Sequence, residues 1–387
     1  MKWIVTDDIY AETWRRLLEF GNIDLTVDEI ARRHGLPKQS SDRAAYRKQA
    51  QQVRVAILQS KEYFEAAKQS SLYTSANHLY YGITSLATAT MLVLGDGTRS
   101  LDFLRKDPKN GHHGLHFSTG CSAKEAATGL ALVEKSFVEI LPRGHFANWY
   151  STLPLVEASL AYLIREVDGG SVTSRETQGG HSLAPFEKIK GRKSSVVDLL
   201  RWFPDLVGDL PQYGVRVAQS RATHKVEIKR NNRVRHLWLI HGAPDISSRD
   251  ELLEKFRLPA RYMNAMSYHI QDGALGGIVI VDHAKDEEIT FEWPNSRETL
   301  SHDTIFYAED YDTLEIADGF LAAYQLSMLS RYFPDLWVAC LESQCKAAKL
   351  VERTVDILLK KFPIMALSLL VPDGVVISTH REPWKGW

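Results

Sequence analysis

The segment RKDPKNGHHG, residues 105 to 114, separates Arg105 from the vicinal pair His112 and His113 by six residues. Histidine titrates near neutral pH, so an imidazole can take the proton of a ribose 2′-hydroxyl or protonate a leaving oxygen. A fixed guanidinium beside it stabilises the charge that develops on the phosphate. Such a set can cleave RNA without a metal. The competing account is structural, because histidines in a Gly-, Pro- and Asn-rich loop often only cap helix ends or face solvent. A second constellation is RATHKVEIKRNNRVRH, residues 221 to 236, where Arg221, Lys225, Lys229, Arg230, Arg233 and Arg235 stand against the single acid Glu227. A basic strip of this kind suits phosphate backbones without sequence readout. It equally suits a solvated sheet face, or an edge strand kept from aggregating by its charges.

Other chemistries find less support. The remaining histidines form no HExxH or HxH cluster, so no metal site is expected. No GxGxxG or GxxxxGKS run occurs, which disfavours the common nucleotide-binding loops, and no cofactor is expected. Cys121, Cys340 and Cys345 form no CxxC pair, which points to a reducing, cytoplasmic setting rather than a disulfide scaffold. TVDEIARRHGLP, residues 26 to 37, has the Ala31/Gly35 offset of a helix-turn-helix. A polar segment follows it, so a single helix ended by Gly35 accounts for it.

The elements that must position these residues follow from periodicity. Residues 42 to 69 carry Tyr46, Val53, Ile57, Phe64 and Ala67 at helical spacing, and residues 71 to 94 carry a broad apolar stripe through Leu79, Ile83 and Leu86. Helical spacing is also expected over 122 to 140 and 153 to 167, giving an antiparallel bundle over 42 to 167 after an N-terminal helical segment, 1 to 41. The Gly- and Ser-rich stretch from 168 to 195 reads as a linker or loop. Residues 196 to 310 are expected to be β-rich. YGVRVAQ reads as a strand, KVEIKR and RVRHLWLI as a hairpin about Asn231-Asn232, and GGIVIVD with EITFEW as a second hairpin. Residues 311 to 387 return to helix, with two helices expected either side of Pro334 and packing back on the bundle. The fold class is α+β, mainly helical.

Length and composition bound the rest. The 387 residues imply two or three cooperating units, and 47 basic against 48 acidic side chains give a net charge of −1. That excludes an indiscriminate polycation. The balance is a sum of unlike parts, since Asp282 to Asp318 holds twelve acids and two bases after the basic hairpin. No apolar run is long enough to span a membrane.

A helical bundle with Arg, four to six residues, then His resembles the HEPN superfamily of metal-independent ribonucleases. ANHLYYGITSLATATML (76 to 92), HHGLHF (112 to 117) and LSMLSRYFPDLW (326 to 337) together resemble the YaaC-like family of bacterial proteins. The HEPN resemblance implies a homodimer with two Arg/His pairs facing one cleft, cutting RNA to a 2′,3′-cyclic phosphate and a 5′-hydroxyl in a toxin or antiviral defence setting, with a partner protein in the complex. It assigns Arg105 to phosphate charge and His112 to acid/base work, with His113 the alternative. Lys106 after the arginine departs from the usual small polar residue, and Pro108 and Gly111 make a loop of the segment. A non-catalytic protein-interaction or assembly module is the alternative function.

Overall fold

In the computed structural model of the protein, the residues described are 2–35, 43–95, 100–153, 157–165, 172–180, 184–217, 220–229, 233–244, 248, 250–251, 263–271, 274–284, 296–298, 305–307, 313–371 and 375–378. A short strand, β1 (Lys2–Val5), precedes two capped helices. Asp8 accepts a hydrogen bond from the Ala11 amide at the start of α1 (Ile9–Glu19), and Asn22 accepts from Asp24 and Leu25 at the start of α2 (Ile23–Arg33). The turn after α2 runs through Gly35 at φ +64°, the left-handed stop expected there.

Two long antiparallel helices form the frame, α3 (Arg43–Gln69) and α4 (Leu72–Leu94), both within a residue of the expected bounds. Val53, Ile57 and Phe64 of α3 are buried against Leu79, Ile83 and Leu86 of α4. Their closest approach is set by Gly82, where a Cβ would stand 2.6 Å from the Phe64 ring, and the Ser60 hydroxyl donates to the Gly82 carbonyl at 2.8 Å.

Beyond α4 the structure departs from a simple bundle. After α5 (Leu101–Arg105) come β2 (Leu115–Thr119), α6 (Ala123–Ala126), α7 (Ala131–Glu134), β3 (Ser136–Ile140) and α8 (His145–Tyr150). The helix expected over 122 to 140 is therefore two short turns and a strand. Gly129, at φ +55°, separates the turns, and Ser136 to Ile140 alternates buried and part-exposed residues with period two. Residues 157 to 165 form β4, not a helix. Its partner β5 (Val172–Gly180) lies inside the stretch expected to be a linker, which also holds α9 (Phe186–Ile189) and β6 (Lys193–Ser195). Leu160, Tyr162 and Ile164 alternate along β4, a signal masked by neighbouring apolar residues.

β2, β3 and β6 make a small antiparallel sheet, followed by α10 (Val196–Leu200) and α11 (Leu210–Tyr213). The YGVRVAQ segment forms no strand over its described residues, 213 to 217, because α11 ends at Gly214 in the left-handed region. The middle section is β-rich as expected. β7 (Ser220–Lys229) and β8 (Arg233–Pro244) pair as a hairpin within an antiparallel six-stranded sheet that adds β9 (Met263–Gln271), β10 (Ala274–Ala284), β11 (Ser296–Glu298) and β12 (Ile305–Tyr307). β10 pairs with the preceding β9. Residues 288 to 293, read as its partner, lie outside the described residues.

Three helices follow rather than two: α12 (Glu315–Tyr332), α13 (Pro334–Ser343) and α14 (Lys346–Leu370), then β13 (Val375–Ser378) in parallel with β1. Pro334 makes the first break and left-handed Gln344 (φ 54°) the second. α12 and α14 pack on α4, and α12 is buried on nearly every side. Its Glu315 and Asp205 both lie 2.5 Å from Lys361 of α14, a buried ion triad joining three segments. The fold is α+β and mainly helical. Among the described residues no helix is long and apolar enough to cross a membrane.

In an open helix interior, Gly→Ala stabilises by roughly 1 kcal/mol. Gly82→Ala is expected to destabilise instead, by about 1–3 kcal/mol from overpacking against Phe64, measured by denaturant unfolding. Unchanged or increased stability would show that α3 and α4 do not depend on this contact.

Candidate functional site

The His112-His113-Gly114 loop is held by α8. The carbonyls of His112 and His113 accept from the His145 and Phe146 amides at 2.9 Å, and the Gly114 carbonyl accepts from the Leu141 amide at 3.0 Å. Gly144 takes φ +109°, and a Cβ there would lie 2.5 Å from the Gly114 backbone and 2.7 Å from His112 Nδ1. Glycine at 144 thus lets the loop seat on the helix start.

The two histidines part company. His112 is exposed, and its Nδ1 accepts from the Gly114 amide at 3.0 Å, which puts the ring proton on Nε2. Among the described residues Nε2 has no partner. His113 turns inward, with Nδ1 2.8 Å from the Tyr80 hydroxyl and its ring against Tyr80 and Tyr324. Burial, followed by the charges of Arg331 and His112, lowers its pKa and keeps it neutral. Burial raises the pKa of the Tyr80 phenol, so that hydroxyl keeps its proton. The Tyr324 hydroxyl donates to the Leu115 carbonyl at 3.1 Å, fixing α12 to the start of β2. Arg331 on α12 donates to the Tyr81 hydroxyl at 2.7 Å. Residues from α4, the loop and α12 therefore meet at Tyr80, His113 and Arg331.

Arg105 stands elsewhere, exposed at the end of α5 with Asp102 4.0 Å away. Lys48 lies 2.5 Å from the same carboxylate and holds it ionised below its usual range. A cleft of about 490 Å³ opens here, lined by Lys48, Gln52, Gln59, Ser85, Thr88 and Arg105. Among the described residues Arg105 shares no hydrogen bond with His112 or His113. The histidine tied to this cleft is His145, which sequence reasoning missed. Its Nε2 lies 2.8 Å from the Thr88 hydroxyl, which itself donates to the Thr84 carbonyl at 2.9 Å, so Nε2 carries the proton, and Nδ1 is buried with no partner among the described residues. Burial, with His113 nearby, pushes the His145 pKa down to about 4. Nothing in GHFANWY marks it locally. The cleft wall did leave a trace, since Asn77, Tyr81, Ser85 and Thr88 form a polar stripe on an otherwise apolar helix.

On the basic hairpin, antiparallel register sets Lys229 opposite Arg233, Glu227 opposite Arg235 and Lys225 opposite Leu237. These positions fall on one face of the ladder. Asp282 of β10 stands opposite Arg235 on its other side, so that position lies between two acidic ones. Arg230 and the Asn231-Asn232 turn lie outside the described residues. Among the described residues no group of three or more His, Cys, Asp or Glu is arranged to hold a metal ion.

A buried helical frame carries the Arg105 cleft and, separately, a histidine–tyrosine–arginine cluster built from sequence-distant segments. The family model described as YaaC-like Protein matches residues 26–370, and the chain belongs to that family. The match spans α4, the histidine loop and α12 with α13, the three segments that converge. No curated protein matches the chain, and neither does any solved structure.

Because the folded-state pKa of His145 lies below the ordinary value near 6.5, the unfolded chain binds the extra proton first as pH falls. Its contribution is present above pH 6.5 and is lost progressively between pH 6.5 and about 4, up to about 3 kcal/mol. His145→Gln is expected to flatten unfolding free energy against pH in that window. An unaltered slope would show that another group titrates.

Proposed function

We propose that this YaaC-like protein is a HEPN-like RNA-acting protein, working as a metal-independent endoribonuclease. The observation that carries this is the Arg105 cleft, where Lys48 and Arg105, with amides and hydroxyls beside Val55, Ala56 and Leu101, line one groove, and Asp102 next to Arg105 is engaged by Lys48. Such a groove suits a phosphodiester backbone. His112, exposed with a free Nε2, is the acid/base candidate, and His113 is tied to Tyr80. In the proposed step the 2′-hydroxyl gives its proton to a water molecule as the 2′-oxygen attacks phosphorus. The bond to the 5′-oxygen breaks, and that oxygen leaves with the Nε2 proton of His112, whose Nδ1 takes a proton from solvent. The products are a 2′,3′-cyclic phosphate and a 5′-hydroxyl, with Arg105 meeting the phosphorane charge. Lys225, Lys229 and Arg233 of the hairpin offer a further stretch of backbone contact. A toxin or antiviral setting with a partner protein belongs to the same proposal.

Purified protein is expected to cut single-stranded RNA in EDTA, with Arg105→Ala and His112→Ala each lowering the rate at least about 100-fold while leaving the unfolding midpoint nearly unchanged. Full activity in the double variant would overturn the catalytic assignment.

A non-catalytic assembly role is the second reading. It is favoured by Val55 and Leu58, apolar yet 53% and 42% exposed on the face of α3 that borders the cleft. Either reading makes this face a homodimer surface. The wild type is expected to sediment as a dimer and Leu58→Lys as a monomer. A monomeric wild type would remove the dimer from both.

A further inference from the structure

Arg331 is a half-buried cation with no anion beside it. Among the described residues no carboxylate lies within ion-pair distance of its guanidinium. Its hydrogen bonds go to the Tyr81 hydroxyl at 2.7 Å and the Ser327 carbonyl at 3.4 Å, with a long contact to Met328 Sδ at 3.6 Å. The guanidinium faces the rings of Tyr332, Tyr81 and Tyr80 at 5.0, 5.3 and 6.0 Å from their centroids. Cation–π contacts offset part of the cost of removing a charge from water, but they do not supply a counter-charge. Five N–H donors meet three partners, so two remain, one on each terminal nitrogen.

The surroundings are donors too. The phenol of Tyr80 is the more acidic partner of the Tyr80–His113 pair and donates to Nδ1, leaving the His113 proton on Nε2. Ser327 donates to Asn77 Oδ1 at 3.2 Å, so the Asn77 amide nitrogen keeps its hydrogens for another acceptor. Guanidinium, imidazole and amide donors from three elements are thus linked through Tyr80 and Ser327, a donor set that suits an oxyanion. Beside them stand flat rings on the surface. Tyr332 is 62% exposed, and Tyr63, 37% exposed, stacks on Tyr81 at 5.6 Å and 29°. Exposed rings next to an arginine are a platform on which a nucleobase stacks.

We propose that Arg331, with His113 and Asn77, binds the phosphate monoester of a nucleotide whose base stacks on Tyr332 or the Tyr63–Tyr81 pair. The same chemistry is offered by a free mononucleotide and by the phosphorylated end of an RNA strand. Counting along α4, Tyr81 precedes Thr88 by seven residues, about 10 Å on the same helix face. The site is thus separate from the Arg105 cleft and does not rest on RNA cleavage.

The test is calorimetric titration of the full chain with adenosine monophosphate, inorganic phosphate, and a trinucleotide carrying either a 5′-phosphate or a 5′-hydroxyl. The expected result is binding of the mononucleotide or the phosphorylated trinucleotide, whichever is the source, with the 5′-hydroxyl form weaker by about tenfold or more. Arg331→Gln should weaken binding by a similar factor. Tyr332→Ala, an exposed change that leaves the core intact, should weaken the nucleotide several-fold yet leave inorganic phosphate unaltered. Should Arg331→Gln fail to fold, Arg331→Lys and Tyr332→Ala carry the same comparison. No binding of either phosphorylated ligand at millimolar concentration, equal binding of the two trinucleotides, or affinities indifferent to Arg331 and Tyr332 would each overturn the proposal. Binding of ligands too short to cleave is the readout, so failure here and failure of cleavage are told apart.

Discussion

The burial of α4 is the constraint on which the rest of the structure depends. Its apolar residues are covered by α3 on one side and by α12, α14 and α8 on others, so the N-terminal and C-terminal halves of the chain share one core. Gly82 allows α3 to come close, and Trp337 closes the far end, buried with its indole nitrogen donating to the Leu72 carbonyl at 3.2 Å. Beyond its exposed first turn, the helix is left part-exposed mainly along the polar stripe of Asn77, Tyr81, Ser85 and Thr88. That stripe is where the Arg105 cleft and the Arg331 cluster both lie, which gives the stripe its importance.

The same enclosure sets the electrostatics. His113 and His145 are held neutral chiefly by burial, and the nearest charges acting on them are positive or histidine in kind, with no carboxylate contributing. Arg331 is left as the fixed charge of the cluster. Elsewhere in the frame the acids are paired with lysines, Asp102 with Lys48, and Glu315 and Asp205 with Lys361.

Much of the helical frame was legible in the sequence, because α3 and α4 are long, free of proline and strongly periodic. The hairpin of β7 and β8 was legible for the same reason at period two. The short elements between residues 115 and 195 were not. Strands of three to nine residues carry too few repeats to show a period, and β5 is stabilised by pairing with β4 rather than by its own Gly- and Ser-rich composition. Of the expected site residues, Arg105 and His112 are exposed but not in contact, and His113 is half-buried against Tyr80.

The sequence by itself determined the fold class, the two frame helices, the hairpin and the three segments that mark the YaaC-like family. Periodicity and turn chemistry are local properties that a linear reading captures. Only the tertiary structure decided that Tyr80, His113 and Arg331 meet, that His145 reaches Thr88, and that Arg235 stands between two acidic positions. Tyr80 and His113 lie 33 positions apart, and Tyr81 and Arg331 lie 250 apart. Nothing short of packing the core fixes such distances.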